Sequence, residues 1–477
     1  MSGPQIPERR TKVVATIGPA SRERETLVEL IEAGADVFRL NFSHGNPDEH
    51  AETIGRIRAA SEETGKWVGI LGDIPGPKLR LDEVEGGRVR IRSGTELRLT
   101  IQECIGTDER LPVSFDGLPK AVEVGDPIFL ADGRIRLKAT EVGDHEVVCD
   151  VETGGHVSSH QGVNLPGATS GMPSAGAEDL DWVEFAIDQD VDLLAVSFVR
   201  EASDLAPINE RIRSRGSDIP LIAKIEKPQA LENTDEILEQ ATSGIMVARG
   251  DLGIELPIES MPSIQKRLIA RAGARSKPVI TATQMLASMV DSDRPTRAEV
   301  TDVANAIYDG TDAIMLSEET AVGEHPVAAV RMMDRIAEQT ERDLPYETWL
   351  RTRVDAAEDD IAASVAQGAV GSTYRLGLRA IVVPTHSGRT ARLVSALRPR
   401  VPVVAISPRK ETVRRLNVLF GVRCVHHDDW DDLRELLNDS ARIAMEVGVA
   451  EKGDLVAITA GLPDQEMGTN VFEIHRV

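Results

Sequence analysis

The sequence predicts an α/β protein whose largest part is a (β/α)8 TIM barrel. Eight short runs rich in β-branched residues precede Glu341, and segments with the 3.6-residue helical period lie between most of them. Most of these runs start roughly 24 to 35 residues apart, which is the length of one βα unit. A barrel of this kind carries its chemistry at the carboxyl ends of its strands, so polar residues that follow the runs are candidate site residues.

The predicted elements follow one another in a regular order. The expected barrel strands are Lys12–Ile17, Val37–Phe42, Val68–Asp73, Leu193–Phe198, Pro220–Ile225, Gly244–Ala248, Pro278–Ala282 and Ala313–Leu316. Helical patterns between them include Arg22–Glu32, Asp48–Glu63 and Arg297–Tyr308. The interval from Asp73 to Leu193 is too long for one βα unit, so it predicts an insertion after the third strand.

The inserted segment has the character of a small β domain. Short alternating runs at Arg88–Arg92, Glu96–Thr100, Pro127–Leu130 and Glu146–Cys149 are separated by turn signals such as Glu85–Gly87 and Ala131–Gly133. An inserted domain beside a barrel mouth often acts as a lid. We therefore predict a barrel formed by residues 1–76 and 173–342, with a β lid domain, a small β-barrel, at residues 77–172.

The strand and helix pattern restarts beyond Glu341, which predicts a third domain at residues 343–477. Asp360–Arg375 and Thr390–Leu397 have helical patterns. Ala380–Pro384, Val401–Ile406 and Leu455–Ala460 are the expected strands. Alternation of this kind is typical of an α/β domain with a mostly parallel sheet.

Composition excludes several classes of partner. The formal net charge is -24 and the pI is about 4.9, so nucleic acid is a poor partner. No apolar run approaches the roughly 18 residues of a membrane span. The three cysteines are scattered without metal-binding spacing, which fits a reducing cytoplasm. We expect a cytoplasmic protein without a membrane partner.

Two carboxylates and an ammonium group follow neighbouring predicted strands. Lys224 and Glu226 lie at the end of the fifth strand, and Asp251 follows the sixth. Two carboxylates suit Mg²⁺ or Mn²⁺, and the absence of nearby His or Cys disfavours zinc. The alternative is a pair of solvated loop carboxylates. A divalent cation beside an ammonium group is what phosphoryl transfer or enolate chemistry needs.

The end of the second strand predicts an anion and cation cradle. An arginine that points into a barrel is costly unless it binds an anion, and Arg39 lies inside this strand. Asn41 and Ser43 share its face by the two-residue period of a strand. The alternative is an ion pair in the barrel core. His44 either belongs to the cradle or caps the helix that follows.

Other strand ends carry weaker signals. Asp73 ends the third strand, and Lys78 and Arg80 follow it as cations that either line the mouth or are exposed at a hinge. Thr283 and Ser317 offer hydroxyls after the seventh and eighth strands, although the backbone satisfies many such groups. Gly250 exposes backbone N–H groups to an anion at close range.

The third domain contains one candidate phosphate site. A predicted strand runs into Thr385–Thr390, a loop with Ser387, Gly388 and Arg389 that leads into a helix. Such loops form anion nests at helix N-termini. An ordinary capped turn is an equally good explanation of these residues alone.

Taken together, these motifs resemble the pyruvate kinase family over nearly the whole chain and in the family's order. The matching segments are Thr11–Ser21, Arg39–Gly45, Gln161–Pro166, Lys224–Glu226, Met246–Glu255, Thr283–Leu286 and Met315–Ser317. The resemblance implies a barrel, a lid domain and a C-terminal regulatory domain, usually assembled as a homotetramer. It implies transfer of phosphate from phosphoenolpyruvate to ADP, which gives pyruvate and ATP in the last step of glycolysis.

The resemblance also implies roles for individual residues. Glu226 and Asp251 would hold Mg²⁺, and Lys224 and Arg39 would neutralise the transferred phosphoryl group. The backbone of Gly250 and Asp251 would receive the substrate carboxylate beside Thr283. The resulting enolate would be protonated near Thr283 and Ser317. The residues that match positions facing the nucleotide phosphates are Arg80, His44 and Asn41.

Two departures from the family pattern concern potassium and the nucleotide. Potassium-dependent members carry Glu at the position of Lys78, and they hold the ion at positions that match Asn41, Ser43, Asp73 and Ile74, the last commonly Thr. An ammonium group near that pocket can replace the cation's charge, so we expect activity without added K⁺. Gln161 stands where many relatives have a Lys that contacts nucleotide.

The resemblance places an allosteric effector site at Thr385–Thr390. The facing loop Gly461–Gly468 is more acidic than a sugar bisphosphate would favour. We therefore expect a singly phosphorylated sugar or AMP, or no effector.

Two other functions remain open at this point. A Mg²⁺-dependent barrel lyase that acts on pyruvate-like enolates would share Glu226 and Asp251, but it would not need ADP. A scaffold that binds an effector through an inactive barrel would bind Mg²⁺ and substrate weakly.

Overall fold

The structure is a computed structural model that describes residues 9–76, 79–131, 133–165, 175–355, 360–461 and 468–477. Lys78 lies outside the described residues, as do Pro166 and residues 462–467 of the acidic loop. The predicted domain limits at residues 77 and 172–173 also fall outside these ranges.

The predicted (β/α)8 barrel is confirmed. Its strands are Lys12–Ile17, Val37–Asn41, Gly69–Ile74, Leu193–Val199, Leu221–Ile225, Gly244–Ala248, Val279–Ala282 and Ala313–Leu316. They form a closed parallel barrel in which the first strand pairs with both the second and the eighth. Each end lies within one residue of its predicted position, because the apolar runs coincide with the buried strands.

Helices follow each barrel strand and pack around the barrel. The principal ones are Arg24–Ala33, Pro47–Thr64, Ala177–Asp188, Ala206–Ser214, Thr234–Gln240, Met261–Ala274, Arg297–Asp309 and Pro326–Glu341. Shorter helices are Pro228–Glu232, Arg249–Glu255 and Glu318–Ala321. Local sequence fixes several ends: Thr296 and Glu299 form a capping box, and Gly310 ends the same helix with a φ of 93°.

The inserted β domain is also confirmed. A six-stranded sheet has the order Val163–Asn164, Pro127–Leu130, Ile135–Val142, Glu146–Thr153, Glu96–Thr100 and Arg110–Pro112. Gly155–Ser158 and Arg88–Ile91 form a two-stranded ribbon, and Leu118–Ala121 is a short helix. The sequence reading missed Ile135–Val142, although its buried and exposed residues alternate. A Cβ at Gly133 would lie 3.5 Å from Ile254, so the insertion approaches the helix Arg249–Glu255 at the barrel mouth.

The C-terminal segment forms the predicted α/β domain. Its five-stranded sheet has the order Val422–His426, Val403–Ser407, Ala380–Pro384, Leu455–Ala460 and Val471–Arg476, with only the last strand antiparallel. Its helices are Tyr346–Asp355, Ile361–Leu376, Arg389–Ala396, Lys410–Arg415 and Leu433–Glu446. The first and last strands of this order were not predicted, because each lies at a sheet edge and is only partly buried.

Buried ion pairs join the barrel to the C-terminal domain. Arg398 donates to both carboxylate oxygens of Asp312 at 2.7 and 2.8 Å, and its side chain is only 2% exposed. Arg414 donates to Asp192 at 2.6 Å. Both carboxylates lie at the N-terminal end of barrel strands, so this domain packs at the end opposite the candidate site. Within the described ranges, no helix is both long and apolar enough to cross a membrane.

Candidate active site

Lys224 lies at the centre of a buried polar network at the carboxyl ends of the barrel strands. Its Nζ lies 2.8 Å from Glu226 Oε1 and 3.3 Å from Asp73 Oδ1. It also donates a hydrogen bond to the hydroxyl of Ser197 at 2.8 Å. Burial opposes the ammonium charge, but Asp73 and Glu226 outweigh it and raise the pKa of Lys224 above its ordinary value. Lys224 is therefore a permanent cation at the barrel mouth.

Arg39 is the second cation of this network. Its Nε donates to Asp73 Oδ2 at 2.7 Å, and its Nη1 donates to the hydroxyl of Thr16 at 3.2 Å. Burial favours protonation of Asp73, but Lys224 and Arg39 hold the pKa of this carboxyl below its ordinary value. In this structure Arg39 therefore forms the barrel-core ion pair that was the alternative to an anion cradle. The shared carboxylate also fixes the two cations side by side.

Glu226 is a buried carboxylate of the site and, like Asp73, only 1% exposed. Its Oε2 accepts a hydrogen bond from the backbone N–H of Phe198 at 3.0 Å, while Oε1 faces Lys224. Burial raises the pKa of Glu226 above its ordinary value; Lys224 opposes this shift and the nearby Asp251 carboxylate adds to it. Two neighbouring carboxylates that repel each other in a buried place are suited to a divalent cation.

Asp251 corrects one detail of the sequence reading. The sixth strand ends at Ala248, and Asp251 lies in the first turn of the helix Arg249–Glu255 rather than at a strand end. Among the described residues, no hydrogen bond or ion pair engages its half-buried carboxylate. The donor set of Glu226 and Asp251 is made of oxygens alone, which fits Mg²⁺ or Mn²⁺. Within the described ranges, no group of three or more His, Cys, Asp or Glu side chains could hold a metal.

Thr283 lies in a strained turn directly after the seventh strand. Its φ is 72° and that of Gln284 is 53°, a conformation that non-glycine residues seldom adopt. The hydroxyl of Thr283 accepts a hydrogen bond from the backbone N–H of Gly250 at 2.8 Å. In this structure the Gly250 N–H therefore has a partner, and the Thr283 hydroxyl donates in turn to the carbonyl of Ala282 at 2.6 Å.

Arg249 holds this turn in place, and the sequence reading did not single it out. Its guanidinium donates to the carbonyls of Ala282 at 3.2 Å and Thr283 at 2.7 Å. A further nitrogen donates to Asp302 at 2.8 Å. Arg249 therefore connects the helix of Asp251 with the turn of Thr283.

Two other positioning residues were also missed. Ser197 donates to the carbonyl of Ile74 at 2.9 Å and accepts from Lys224, so it connects the third, fourth and fifth strands. Glu319 accepts from the backbone N–H groups of Ser317 at 2.7 Å and Leu286 at 3.0 Å. It thereby fixes Ser317 next to the segment that follows Thr283. The position of Ser197 at the end of an apolar run was a signal that could have identified it.

The predicted monovalent-cation residues lie near one another but do not share one strand face. The second strand ends at Asn41, and Ser43 belongs to the following turn, where its N–H donates to Asn41 Oδ1 at 3.2 Å. The expectation that Arg39, Asn41 and Ser43 lie on one strand face is therefore wrong for Ser43. Asp73 is already paired with two cations, and the side chain of Ile74 is fully buried and has no polar atom.

Two of the predicted nucleotide residues, Arg80 and His44, lie apart from the network, whereas Asn41 lies opposite Asp73 in the register of the second and third strands. Arg80 lies in the inserted domain, where it donates to the carbonyl of His160 at 3.3 Å. His44 is exposed in the turn after the second strand, and its carbonyl faces His50 Nε2 at 2.8 Å. Both side chains therefore extend from segments that rim the barrel mouth.

The predicted effector residues line a cavity of about 440 Å³ in the C-terminal domain. Thr385, Ser387, Arg389 and Thr390 contribute to its walls, and Gly388 lies in the loop with a φ of 79°. The hydroxyl of Thr385 accepts from the N–H of Gly388 at 3.0 Å, which is an ordinary capped turn. Arg389 forms an ion pair with Asp360 instead of facing the cavity alone.

Comparison with known proteins gives one consistent result. A family model described as "Pyruvate kinase, barrel domain" matches residues 8–330, and one described as "Pyruvate kinase, alpha/beta domain" matches residues 363–475. Curated pyruvate kinases of Geobacillus stearothermophilus and Bacillus licheniformis are 43% and 42% identical to the chain over 472 residues, 98% of this chain and 80% of each relative.

Two further relatives match over almost their whole length. A pyruvate kinase of Thermococcus litoralis is 40% identical over 479 residues, which is 99% of this chain and 100% of that protein. The crystal structure of a pyruvate kinase from Cryptosporidium parvum has a TM-score of 0.93 at 35% identity, covering 98% of this chain and 96% of that one.

Proposed function

Because this chain belongs to the pyruvate kinase family of phosphotransferases, we propose that it transfers the phosphoryl group of phosphoenolpyruvate to ADP. The products are pyruvate and ATP, as in the last step of glycolysis. The observation that carries the proposal is the buried network of Lys224, Glu226, Asp73 and Arg39 beside the carboxylate of Asp251. It brings two fixed cations and two candidate metal ligands together at the carboxyl end of the barrel, which is the charge pattern that phosphoryl transfer requires.

Glu226 and Asp251 are the residues that would hold Mg²⁺ or Mn²⁺. The raised pKa of Glu226 supports this assignment. Burial and the nearby Asp251 carboxylate both disfavour the negative charge of Glu226, and a divalent cation would offset both effects. Such an ion would supply positive charge that offsets the negative charge of the substrate during transfer. The chain's own contribution is to keep both carboxylates in place, through the Phe198 N–H for Glu226 and the Arg249–Glu255 helix for Asp251.

Lys224 and Arg39 would stabilise the transferred group. As the P–O bond of phosphoenolpyruvate breaks and an oxygen of the ADP β-phosphate forms the new bond, negative charge spreads over the phosphoryl oxygens. Both side chains are held by Asp73, so they need little reorganisation during the reaction. Loss of one such preorganised donor typically costs about 10²- to 10³-fold in rate.

Thr283 and Ser317 would act on the other half of the substrate. The backbone N–H groups of Gly250 and Asp251 would receive the substrate carboxylate beside Thr283, and the Gly250 N–H would exchange its Thr283 partner for that carboxylate. The enolate that remains after transfer takes a proton at its methylene carbon to become pyruvate. Glu319 links Ser317 to Leu286 in the segment after Thr283, which supports a shared role of Thr283 and Ser317 in passing that proton from solvent.

His44, Arg80 and Asn41 are the proposed nucleotide residues. The approach of Gly133 to Ile254 supports a lid role for the inserted domain, because lid movement would shift Arg80 relative to the helix of Asp251. Removal of the Arg80 guanidinium by Arg80→Ala should raise KM for ADP more than KM for phosphoenolpyruvate. Equal changes in both constants would reject the assignment.

We also propose activity without added K⁺. Asp73 is saturated by Arg39 and Lys224, and Ile74 offers no polar side-chain atom, which leaves Asn41 and Ser43 as the polar side chains of the monovalent-cation pocket. The ammonium group of Lys78 would supply the missing charge. The test compares turnover in K⁺ with turnover in tetramethylammonium at constant ionic strength. Equal rates support the proposal, and strong activation by K⁺ rejects it.

The cavity at Thr385–Thr390 is the proposed effector site, for a singly phosphorylated sugar or AMP, in a homotetramer. Arg389 would exchange its partner Asp360 for the phosphate group. In Arg389→Ala, activation by AMP or glucose 6-phosphate should disappear while the basal rate stays the same. An unchanged response would exclude this site.

The experiment that tests the proposed reaction is pyruvate formation from phosphoenolpyruvate with Mg²⁺, with and without ADP. Turnover that requires ADP supports the kinase. Pyruvate-like products without ADP would indicate a lyase. The absence of turnover, together with weak binding of Mg²⁺ and phosphoenolpyruvate, would indicate a scaffold.

A further inference from the structure

A cavity of about 800 Å³ lies at the end of the barrel opposite the candidate active site. One wall is the start of the first barrel strand with the residues that precede it, Arg9–Lys12. The other walls are the N-terminal ends of C-terminal-domain strands, near Arg379, Val401 and Arg423, and the end of the helix Leu433–Glu446. Its volume lies in the range of small-molecule sites, and both domains contribute to it.

The charge of this cavity is opposite to that of the chain. Among the described residues that line it, six are Lys or Arg and Glu446 is the single acidic one. In the whole chain, Asp and Glu outnumber Lys and Arg by 78 to 54. A cationic concavity in a strongly acidic protein attracts anions that the rest of the surface repels.

The inner cations of the cavity are held by the barrel. Arg9 donates to Asp36 at 2.9 Å and to Asp334 at 2.6 Å. Lys12 donates to the carbonyl of Val422 in the C-terminal domain at 2.7 Å and to Asp36 at 3.3 Å. Asp36 and Asp334, which do not line the cavity, balance these charges. The inner wall is therefore a rigid polar surface and adds no net positive charge to the cavity.

The outer cations supply the surplus positive charge. Arg400 is exposed at the cavity, and among the described residues no carboxylate pairs with its guanidinium. Arg379 is 62% exposed, and its ion pair with Asp454 is a long contact of 3.6 Å. The single acidic lining residue, Glu446, is paired with Arg442 at 2.6 Å outside the cavity. Arg423, which already has a partner, also lines the cavity from the strand Val422–His426.

We propose that this cavity binds a small phosphorylated anion, at a site separate from both the candidate active site and the cavity at Thr385–Thr390. Guanidinium groups are the side chains best suited to bind phosphate oxygens in pairs. A ligand here would contact Arg400 and Arg423 of the C-terminal domain and the Arg9–Lys12 segment of the barrel. Its binding therefore strengthens the contact between the two domains and raises the thermal stability of the protein.

The test is calorimetric titration of inorganic pyrophosphate into the full chain, in buffer with chelator and no divalent ion. Arg400→Ala/Arg423→Ala should weaken the tightest binding step at least tenfold. The matched control, Arg375→Ala/Arg351→Ala, removes two exposed arginines outside the cavity and should retain the affinity of the unmodified protein. Arg389→Ala should also retain it, which separates this site from the cavity at Thr385–Thr390.

Three results would overturn the proposal. The first is no binding of pyrophosphate by the unmodified protein, and the second is equal affinity in the cavity variant and the control. The third is that Arg400→Ala/Arg423→Ala lowers the thermal stability of the ligand-free protein but leaves its affinity for pyrophosphate unchanged. The two arginines would then only support the helix end at Glu446. If the double variant does not fold, Arg400→Glu alone, at an exposed position, is tested against the same criteria.

Discussion

Replacement of Arg249 by Lys should damage catalysis through the shape of one turn. Arg249 lies outside the proposed metal and phosphoryl contacts, yet it donates to the carbonyls of Ala282 and Thr283. Lysine keeps the charge but has a single nitrogen, so it cannot bond these carbonyls and Asp302 together. The perturbation therefore removes the support of the turn while the charge of the site stays nearly constant.

The magnitude follows from the bonds that are lost. A hydrogen bond from a charged group contributes about 1.5 to 3 kcal/mol, and Arg249→Lys leaves the turn at least one such bond short. The positive φ angles of Thr283 and Gln284 each cost about 1 to 3 kcal/mol, a cost that the surrounding bonds must offset. Without that support the turn relaxes, and the Thr283 hydroxyl moves away from Gly250. A displacement of about 1 Å at a reacting group can cost 10²-fold in rate.

The assay is steady-state kinetics of pyruvate formation, with Arg267→Lys on the exposed face of Met261–Ala274 as the matched control. We expect kcat/KM for phosphoenolpyruvate to fall about 10²-fold in Arg249→Lys, with a smaller change in KM for ADP. Circular dichroism should show the same fold for both variants. A kcat/KM within about threefold of the control, a difference under 1 kcal/mol, would refute the account of the turn.

Three other predictions address the metal, the domain interface and acid stability. Removal of divalent ions by a chelator should abolish turnover, and addition of Mg²⁺ or Mn²⁺ should restore it. When the rate is titrated with Mg²⁺, Glu226→Gln should need a far higher Mg²⁺ concentration than the unmodified protein. An unchanged Mg²⁺ concentration for half-maximal rate would exclude Glu226 as a ligand. Arg398→Met leaves the buried Asp312 unpaired, so denaturant unfolding should show a loss of about 3 to 5 kcal/mol, and a loss under about 1 kcal/mol would contradict the buried pair. Burial opposes the charge of Asp36, but Arg9 and Lys12 hold the pKa of this carboxyl below its ordinary value. The ionised Asp36 therefore stabilises the fold at any pH above the pKa that Asp36 has in the unfolded chain. This stabilisation is lost as the pH falls through the lower pKa of the folded protein. The difference in unfolding free energy between the unmodified protein and Asp36→Asn should therefore be full at about pH 6 and shrink below about pH 4; a difference independent of pH would contradict the assignment.

The barrel could be predicted because its strands are buried on both faces. Apolar runs such as Gly244–Ala248 therefore mark the strands themselves, and their charged successors mark the site. Lys224, Glu226 and Asp73 were found in this way, and the structure brings them into one network. Strands at sheet edges, such as Val471–Arg476, are half-exposed and lack this signal.

Contacts between distant segments could not be predicted from local pattern. The pair of Arg39 and Asp73 depends on the register of the second and third strands, in which Asn41 lies opposite Asp73. Arg249 was visible in a motif, but only the fold shows that it reaches the turn after the seventh strand. The sixth strand was predicted to its last residue, Ala248, but the helix that begins at Arg249 was not, because its charged first turn resembles a charged strand end.

The measurement that tests the account most directly compares Lys224→Met with Lys266→Met in single-turnover phosphoryl transfer from phosphoenolpyruvate to ADP. Lys266 is an exposed lysine whose pairing with Asp309 lies outside the site, so its loss controls for the change of charge. The account predicts a transfer rate at least about 10²-fold lower in Lys224→Met, with phosphoenolpyruvate still bound and the fold retained. Transfer at the rate of the control would contradict the claim that this buried ammonium group stabilises the moving phosphoryl group.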